Sequence, residues 1–326
     1  MNPKTISEII SALNGASRVL ITAHMDPDGD SIGTQLVLRD YLVGLGKTVQ
    51  IYNHGTLPDK YSFLEGIDCI QTDVTKYDFD PELVVILEAT TLDRTGKVKD
   101  LLKPGVPIIN IDHHVGNPMY GDINLVDENA SSVAEILFKI LKNTDFKLTK
   151  PIAEKLFTAI LTDTGRFHFS STTPDCLRIC AELVEAGVQT RELTDKIYFS
   201  NSLKQMQVVG EVISGLELTL DGQMAMLTLT QEMLGRYGLE FSDFEGIVEY
   251  SMRVKDVTVG ALFRDFDEGV TKISLRSRNG LDVATLAGKL GGGGHFSAAG
   301  VSVRLTIPEA KKELIRLVQE ALDEAV

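Results

Sequence analysis

The residues best placed to do chemistry are acidic and imidazole side chains at the ends of apolar runs. Residues 21–33, ITAHMDPDGDSIG, crowd His24, Asp26, Asp28 and Asp30 into a turn shaped by Pro27 and Gly29. Such a turn lets alternate carboxylates converge. Asp-rich turns also cap helices, and Asp30 or Ser31 suits that duty here. Glu88 closes the run VVILE, Asp112-His113-His114 closes IINIDHH, and Asp163 closes AILTD. Brought together, Asp28, Asp30, Glu88 and Asp163 repel one another unless cations sit among them. Two divalent metals supply the four positive charges these carboxylates lack. Oxygen ligands mixed with imidazole suit Mn²⁺ first, with Fe²⁺, Co²⁺ or Mg²⁺ as alternatives, whereas a structural zinc favours thiolates. A carboxylate bridging two metals about 3.5–4 Å apart fits hydrolysis at phosphorus, where the metals acidify a water and no protein nucleophile is needed.

The elements that position these groups follow from the patterning. Short apolar runs at 18–23, 48–52, 83–87 and 106–111 read as strands, and stretches at 31–45, 131–142 and 152–162 read as helices. The alternation predicts an α/β fold: a mostly parallel sheet covered by helices on both faces. Ligands of such sheets sit beyond the carboxyl ends of the strands, where His24, Glu88 and the Asp112 triplet fall. Later, 215–230 reads as a hairpin turning at Asp221-Gly222. Strands at 257–264 and 272–277, a helix from Asp282, a strand near Val301 and a helix from Pro308 make a smaller α/β domain. The expected division is 1–188 for the first domain, 189–208 for a charged helical connector and 209–326 for the second. A chain of 326 residues with 43% hydrophobic content has enough material for two cores.

Composition excludes several functions. A net charge of −14 argues against a surface that grips long duplex nucleic acid. No run of about 18 apolar residues predicts a membrane span, so the expectation is a cytoplasmic protein. Three cysteines are too few and scattered for a disulfide framework, and Cys176 and Cys180, one helical turn apart, read as packing residues.

A second chemical feature lies near the end. Residues 291–300, GGGGHFSAAG, include Gly292, Gly293, Gly294 and His295. A glycine tract lets backbone N–H groups approach an anion, and His295 can donate to phosphate; a flexible loop is the plain alternative. Arg276 and Arg278 lie on a strand nearby, and one of them is expected to face a phosphate. Arg264 is a weaker candidate and Arg253 reads as a solvated helix residue. His54 reads as structural; His168, just past Asp163, is left open between structural and site-bordering.

These motifs, in this order and over essentially the whole length, resemble the DHH phosphoesterase superfamily, named for the triplet Asp112-His113-His114. The resemblance implies that His24, Asp28 and Glu88 hold one metal, and that Asp30, Glu88, His113 and Asp163 hold the other. It implies that His114 is a catalytic group facing the scissile phosphate and that Asp112 orients its neighbours. Position 88 is usually Asp in the family, so Glu88 is a departure that bears on metal spacing. Asp93 is the alternative acid, better read as a turn residue or partner of Arg94. The glycine-rich stretch is similar to the associated C-terminal domain of the oligoribonuclease-type members. Family II pyrophosphatases carry a different C-terminal domain, and exonucleases of the RecJ type are longer. The resemblance therefore implies an active-site cleft between two domains, a substrate that is very short RNA, a dinucleotide or a small phosphorylated nucleotide, and allows a homodimer.

Overall fold

Runs such as VLIT and LVVIL carry apolar residues on both strand faces, which suits strands buried on both sides. The computed structural model describes residues 2–324 apart from Glu245, Glu268 and Asn279, and the side chains of Asp267 and His295 lie outside what it describes. The chain divides into two units, one ending at Ser200 and the other beginning at Asn201.

The first unit runs α1 (Pro3–Gly15), β1 (Arg18–Thr22), α2 (Gly29–Gly44), β2 (Thr48–Tyr52), β3 (Ile70–Gln71), β4 (Leu83–Leu87), β5 (Ile108–Asp112), β6 (Ile123–Val126), then α3 (Val133–Leu141), α4 (Lys150–Asp163), α5 (Pro174–Glu185) and α6 (Thr190–Tyr198). Its six strands pair in parallel in the order β3-β2-β1-β4-β5-β6. Alternate residues of each strand enter opposite cores. Val19, Ile21, Val85 and Leu87 pack among residues of α1–α6, while Leu20, Val84 and Ile86 pack against Val98 and neighbours in short 3₁₀ segments. The helical cover is thus α on one face and largely 3₁₀ on the other. The patterning located β2 and β4 to the residue, but it missed α1 and the short strands β3 and β6. Cys176 and Cys180 are buried in the α-helical core.

The second unit runs α7 (Leu203–Ser214), β7 (Glu217–Thr219), β8 (Met224–Leu229), α8 (Gln231–Tyr237), β9 (Val259–Asp267), β10 (Val270–Ser277), α9 (Val283–Lys289), β11 (Gly293–His295), β12 (Ala298–Val303) and α10 (Ile307–Glu324). Its mixed sheet has the order β11-β12-β10-β9-β8-β7. Asp221 and Gly222 turn β7 into β8, both with positive φ, as the hairpin reading requires. The stretch read as a connector holds two helices: Leu193 and Ile197 of α6 enter the first unit's core, and Val208 and Val212 of α7 enter the second's. Among the described residues no helix is long and apolar enough to cross a membrane.

Candidate metal centre

In the order 3-2-1-4-5-6 the chain changes direction across the sheet between β1 and β4, and a crevice opens beyond the carboxyl ends of strands at such a switch point. His24 lies two residues past β1, Glu88 directly follows β4, and Asp112 ends β5. The remaining acids come from helices. Asp28 is the N-cap of α2, its Oδ1 accepting from the N–H groups of Asp30 and Ser31 at 3.1 Å each. The cap is therefore Asp28 and not Asp30 or Ser31, because the helix begins at Gly29, two residues earlier than a cap at Asp30 needs and three earlier than one at Ser31. Asp163 ends α4, so it reaches the site from a helix instead of a strand.

Two glycines let these helices meet. A Cβ on Gly29 would lie 2.4 Å from Thr162 Oγ1 and one on Gly33 2.5 Å from the Lys155 carbonyl, so only glycine permits this approach of α2 to α4. The approach brings Asp30 beside Asp163. Asp30 is buried, and its two oxygens accept from the N–H groups of Val133 (2.6 Å) and Ala134 (3.0 Å). Those amides open α3 and have no partner within the helix.

Three groupings result: His24, Asp28 and Glu88; Asp30, His113 and Asp163; and Glu88, His113 and His114. Within each, one candidate ligand atom per residue lies within 4.8 Å of the others. The six sequence-predicted ligands are all among them, and Glu88 belongs to two. Donor accounting shows that the sites suit cations. His24 Nδ1 lies 2.8 Å from the Met25 carbonyl, and His113 Nδ1 lies 3.2 Å from that of Ala130. A carbonyl only accepts, so in each neutral ring Nδ1 carries the hydrogen and Nε2 presents a lone pair. His24 Nε2 faces Glu88 Oε2 at 3.8 Å and Asp28 Oδ1 at 3.9 Å, and His113 Nε2 faces Asp163 Oδ2 at 3.3 Å. A ring anchored to a carbonyl and aimed at carboxylates is the usual posture of a metal-binding imidazole.

The electrostatics agree. Burial, then the charges of Asp28 and Asp30, hold the Glu88 carboxyl well above its usual range. Burial, then Asp163, does the same to Asp30. Burial, then Asp28, pushes Asp163 up to about 8. Asp28 is the exception: burial works against it, but the neighbouring His24, whose charged form it favours, and the N–H and hydroxyl of Ser31 hold it well below the usual range. For His24 burial pulls down and Asp28 outweighs it, leaving the ring raised. Three carboxylates held up by burial and mutual repulsion form a donor set that divalent cations fit.

Asp112 and His114 form a different arrangement. Asp112 Oδ1 accepts from the backbone of His113 (2.8 Å) and His114 (3.2 Å) and pairs with His114 Nδ1 at 2.8 Å, while Asn117 Nδ2 donates to Oδ2 at 2.7 Å. Burial works against ionisation here too, but His114 and Asn117 hold the Asp112 carboxyl below its usual value. The carboxylate fixes the ring through Nδ1 and leaves Nε2 as the outward nitrogen.

Sequence reasoning missed Asn117, and it saw in Ser31 only a cap. The Ser31 hydroxyl lies 2.7 Å from Glu88 Oε2, 2.9 Å from His24 Nε2 and 3.1 Å from Asp28 Oδ1. Glu88 itself holds φ +53°, a left-handed conformation that costs a long side chain about 1–2 kcal/mol. Asp93 is exposed in the 3₁₀ segment Leu92–Leu101 and pairs with Lys99 at 2.7 Å, so it is neither the turn residue nor the Arg94 partner that the sequence suggested. His54 packs against Gly96, and exposed His168 follows Gly165, Arg166 and Phe167, all three with positive φ.

In the second unit, Thr271, Ile273 and Leu275 of β10 are buried, so Lys272, Ser274 and Arg276 share the opposite face. Lys272 pairs in register with Arg264 of β9, whose Nη2 donates to Ser274 Oγ at 3.0 Å. Arg276 stands opposite Gly260 on one side and Ala298 on the other, and Ala298 pairs with His295. Arg278 lies past the end of β10 and is exposed, as is Arg253. The glycine tract is only partly a loop: Gly291 and Gly292 lie outside any strand, whereas Gly293–His295 form the edge strand β11. A Cβ on Gly292 would lie 2.3 Å from the Gly300 carbonyl, and the Gly292 N–H donates to Ala287 at 2.8 Å. Close backbone packing therefore accounts for Gly292, while edge strands carry N–H groups turned away from the sheet.

Residues 18–162 match the N-terminal domain of the DHH family, and residues 223–324 match the DHHA1 domain. The chain is 33% identical to the bifunctional oligoribonuclease and PAP phosphatase NrnA of Thermus thermophilus, over 99% of this chain and 95% of that relative. The crystal structure of an exopolyphosphatase-related protein from Bacteroides fragilis superposes with a TM-score of 0.88 at 26% identity, covering 99% of this chain and 96% of that one. RecJ of Thermus thermophilus in complex with Mn²⁺ shares the fold at a TM-score of 0.51 and 13% identity, over 98% of this chain and 54% of that one. The chain therefore belongs to the DHH family of metal-dependent phosphoesterases.

Proposed function

We propose that this chain is a two-metal phosphodiesterase that releases mononucleotides from very short RNA or dinucleotides and also removes a phosphate from adenosine 3′,5′-bisphosphate. The observation that carries the reading is the pair of imidazoles anchored through Nδ1 to carbonyls and aimed at carboxylates held high by burial. His24, Asp28 and Glu88 hold one cation; Asp30, Glu88, His113 and Asp163 hold the other, with Glu88 shared. Mn²⁺ fits this donor set of carboxylates and imidazoles. Bound divalent cations supply the charge that polarises a phosphoryl group and acidifies water.

The chain's own residues do the rest. His114, fixed through Nδ1 by Asp112, offers Nε2 to protonate the leaving oxygen, and ionised Asp112 stabilises the charged ring. Asn117 keeps Asp112 in place. Arg264, Arg276 and Arg278, with Lys272, supply positive charge for nucleotide phosphates, and Gly293 and Gly294 of the edge strand supply backbone donors; the Gly292 N–H is already engaged by Ala287, and the side chain of His295, expected from sequence as an imidazole donor, lies outside the described residues. The related NrnA is named for both activities, and a net charge of −14 favours short substrates over long ones.

The test is hydrolysis of end-labelled RNAs of graded length with Mn²⁺, alongside adenosine 3′,5′-bisphosphate. Dinucleotides are expected to be cleaved about 10-fold or more faster than 20-mers, a difference of about 1.4 kcal/mol in the barrier. Equal rates on both lengths contradict the short-substrate reading. Nucleotide binding with fewer than two metals and no turnover would make the chain a sensor.

A further inference from the structure

We infer that Ser31 is a positioning residue whose hydroxyl braces Glu88 for metal binding. The inference rests on the two-metal reading above and adds a residue to it.

Glu88 is poorly constrained by its own covalent structure. It leaves the backbone at φ +53° and reaches the site through three rotatable bonds, so an unbraced carboxylate loses rotamer entropy when it takes up a ligand position. Its backbone is held, because Glu88 N–H donates to the Ile111 carbonyl at 3.0 Å and continues the pairing of β4 with β5. The side chain is held by Ser31, at 2.7 Å from Oε2.

The proton count decides the direction of that bond. The hydroxyl has one proton and three neighbours: Glu88 Oε2, Asp28 Oδ1 and His24 Nε2. The hydroxyl is placed to donate to either carboxylate, at 2.7 Å from Glu88 Oε2 and 3.1 Å from Asp28 Oδ1, while His24 is held from its other side by the Met25 carbonyl on Nδ1. Ser31 donates to one, and Glu88 is nearest. The remaining lone pairs then face one another and are available to a cation. Ser31 thus fixes one carboxylate oxygen while leaving the other oxygen, the imidazole and Asp28 free to ligate.

The brace can be removed without touching the helix. The Ser31 N–H donates to Asp28 Oδ1, and its carbonyl accepts from Gln35 Nε2 at 2.8 Å; both are backbone groups that Ser31→Ala retains. A carboxylate one methylene shorter has one fewer rotatable bond to restrain, so the hydroxyl and residue 88 should be coupled.

The experiment is calorimetric titration of the metal-free protein with Mn²⁺ in four forms: wild type, Ser31→Ala, Glu88→Asp and the double variant. Ser31→Ala alone is expected to weaken the affected site about 10- to 100-fold, the usual consequence of removing a group that orients a ligand. In the Glu88→Asp background the same change is expected to cost less than about threefold. Wild-type affinity in Ser31→Ala, or an equal loss in both backgrounds, overturns the inference while leaving the two-metal reading intact. Failure of the wild type to take up Mn²⁺ overturns both.

Discussion

Asp112 and Asp163 lie in the same centre, yet their carboxyls are driven in opposite directions. Asp112 accepts four hydrogen bonds from His113, His114 and Asn117 and is held below its usual range, whereas Asp163 is pushed to about 8 by desolvation and by the charge of Asp28. Burial opposes ionisation of both, so the difference comes from donors. One half of the centre is completed by the chain's own protons. The other half, built from Asp30, Glu88 and Asp163, keeps its carboxyls raised despite the donors at Asp30 and Glu88, and in the proposed two-metal reading cations would complete it. Exchanging or removing members of each half should therefore give different kinds of defect.

The largest effect is expected in the half that needs cations. Glu88→Ala removes the carboxylate shared by two groupings and should lower kcat on the order of 1000-fold, the loss of several kcal/mol of charge stabilisation. Metal analysis of the purified variant should find fewer than two bound ions. Retained activity with two bound metals would remove Glu88 from the bridging role.

The self-sufficient half should respond differently. His114→Ala is expected to lower kcat on the order of 100-fold through loss of proton transfer, with two Mn²⁺ ions still bound at wild-type affinity. His114 also stands within reach of Glu88 and His113. Loss of one metal in His114→Ala would therefore make it a ligand and dissolve the distinction between the halves.

Much of this centre was legible from sequence because a parallel sheet converts sequence position into spatial position. A polar residue that ends a buried strand must stand at the carboxyl edge, and neighbouring strands put such residues side by side; His24, Glu88 and the Asp112 triplet come together for that reason. Asp163 was recognised by type although a helix delivers it, through the glycine-mediated contact of α2 with α4. Ser31 and Asn117 were not legible in their roles. Their significance lies in partners 57 and 5 residues away, for Glu88 and Asp112 respectively, and neither ends an apolar run. The strand β3, two residues long, is too short to show a period. The glycines at 291–294 looked like a loop because their sequence gives no hint that Gly300 and Ala298 pack directly against them.

The smallest effect expected is a loss of stability with rising pH that only the cation-requiring half should show. Asp163 ordinarily ionises at 3.8 and is held at about 8 in the folded chain. A raised carboxyl contributes stability that is fully present below the unfolded value and is lost as pH rises through the folded one. The metal-free protein should therefore become less stable between about pH 4 and pH 8, with Glu88 and Asp30 acting in the same direction. Cations take the ionised form, so Mn²⁺ affinity should rise about tenfold per pH unit for each proton displaced, levelling off above pH 8. The gain in Tm on adding saturating Mn²⁺ should accordingly be larger at pH 8.5 than at pH 6, by about 5 °C or more. Asp163→Asn, which mimics the protonated acid, should flatten the decline of the metal-free protein. Asp112→Asn should not, because the Asp112 carboxyl lies below its usual value and contributes stability that is lost only as pH falls. Equal flattening by both substitutions would show that the two carboxylates titrate as one set and that the division between the halves does not hold.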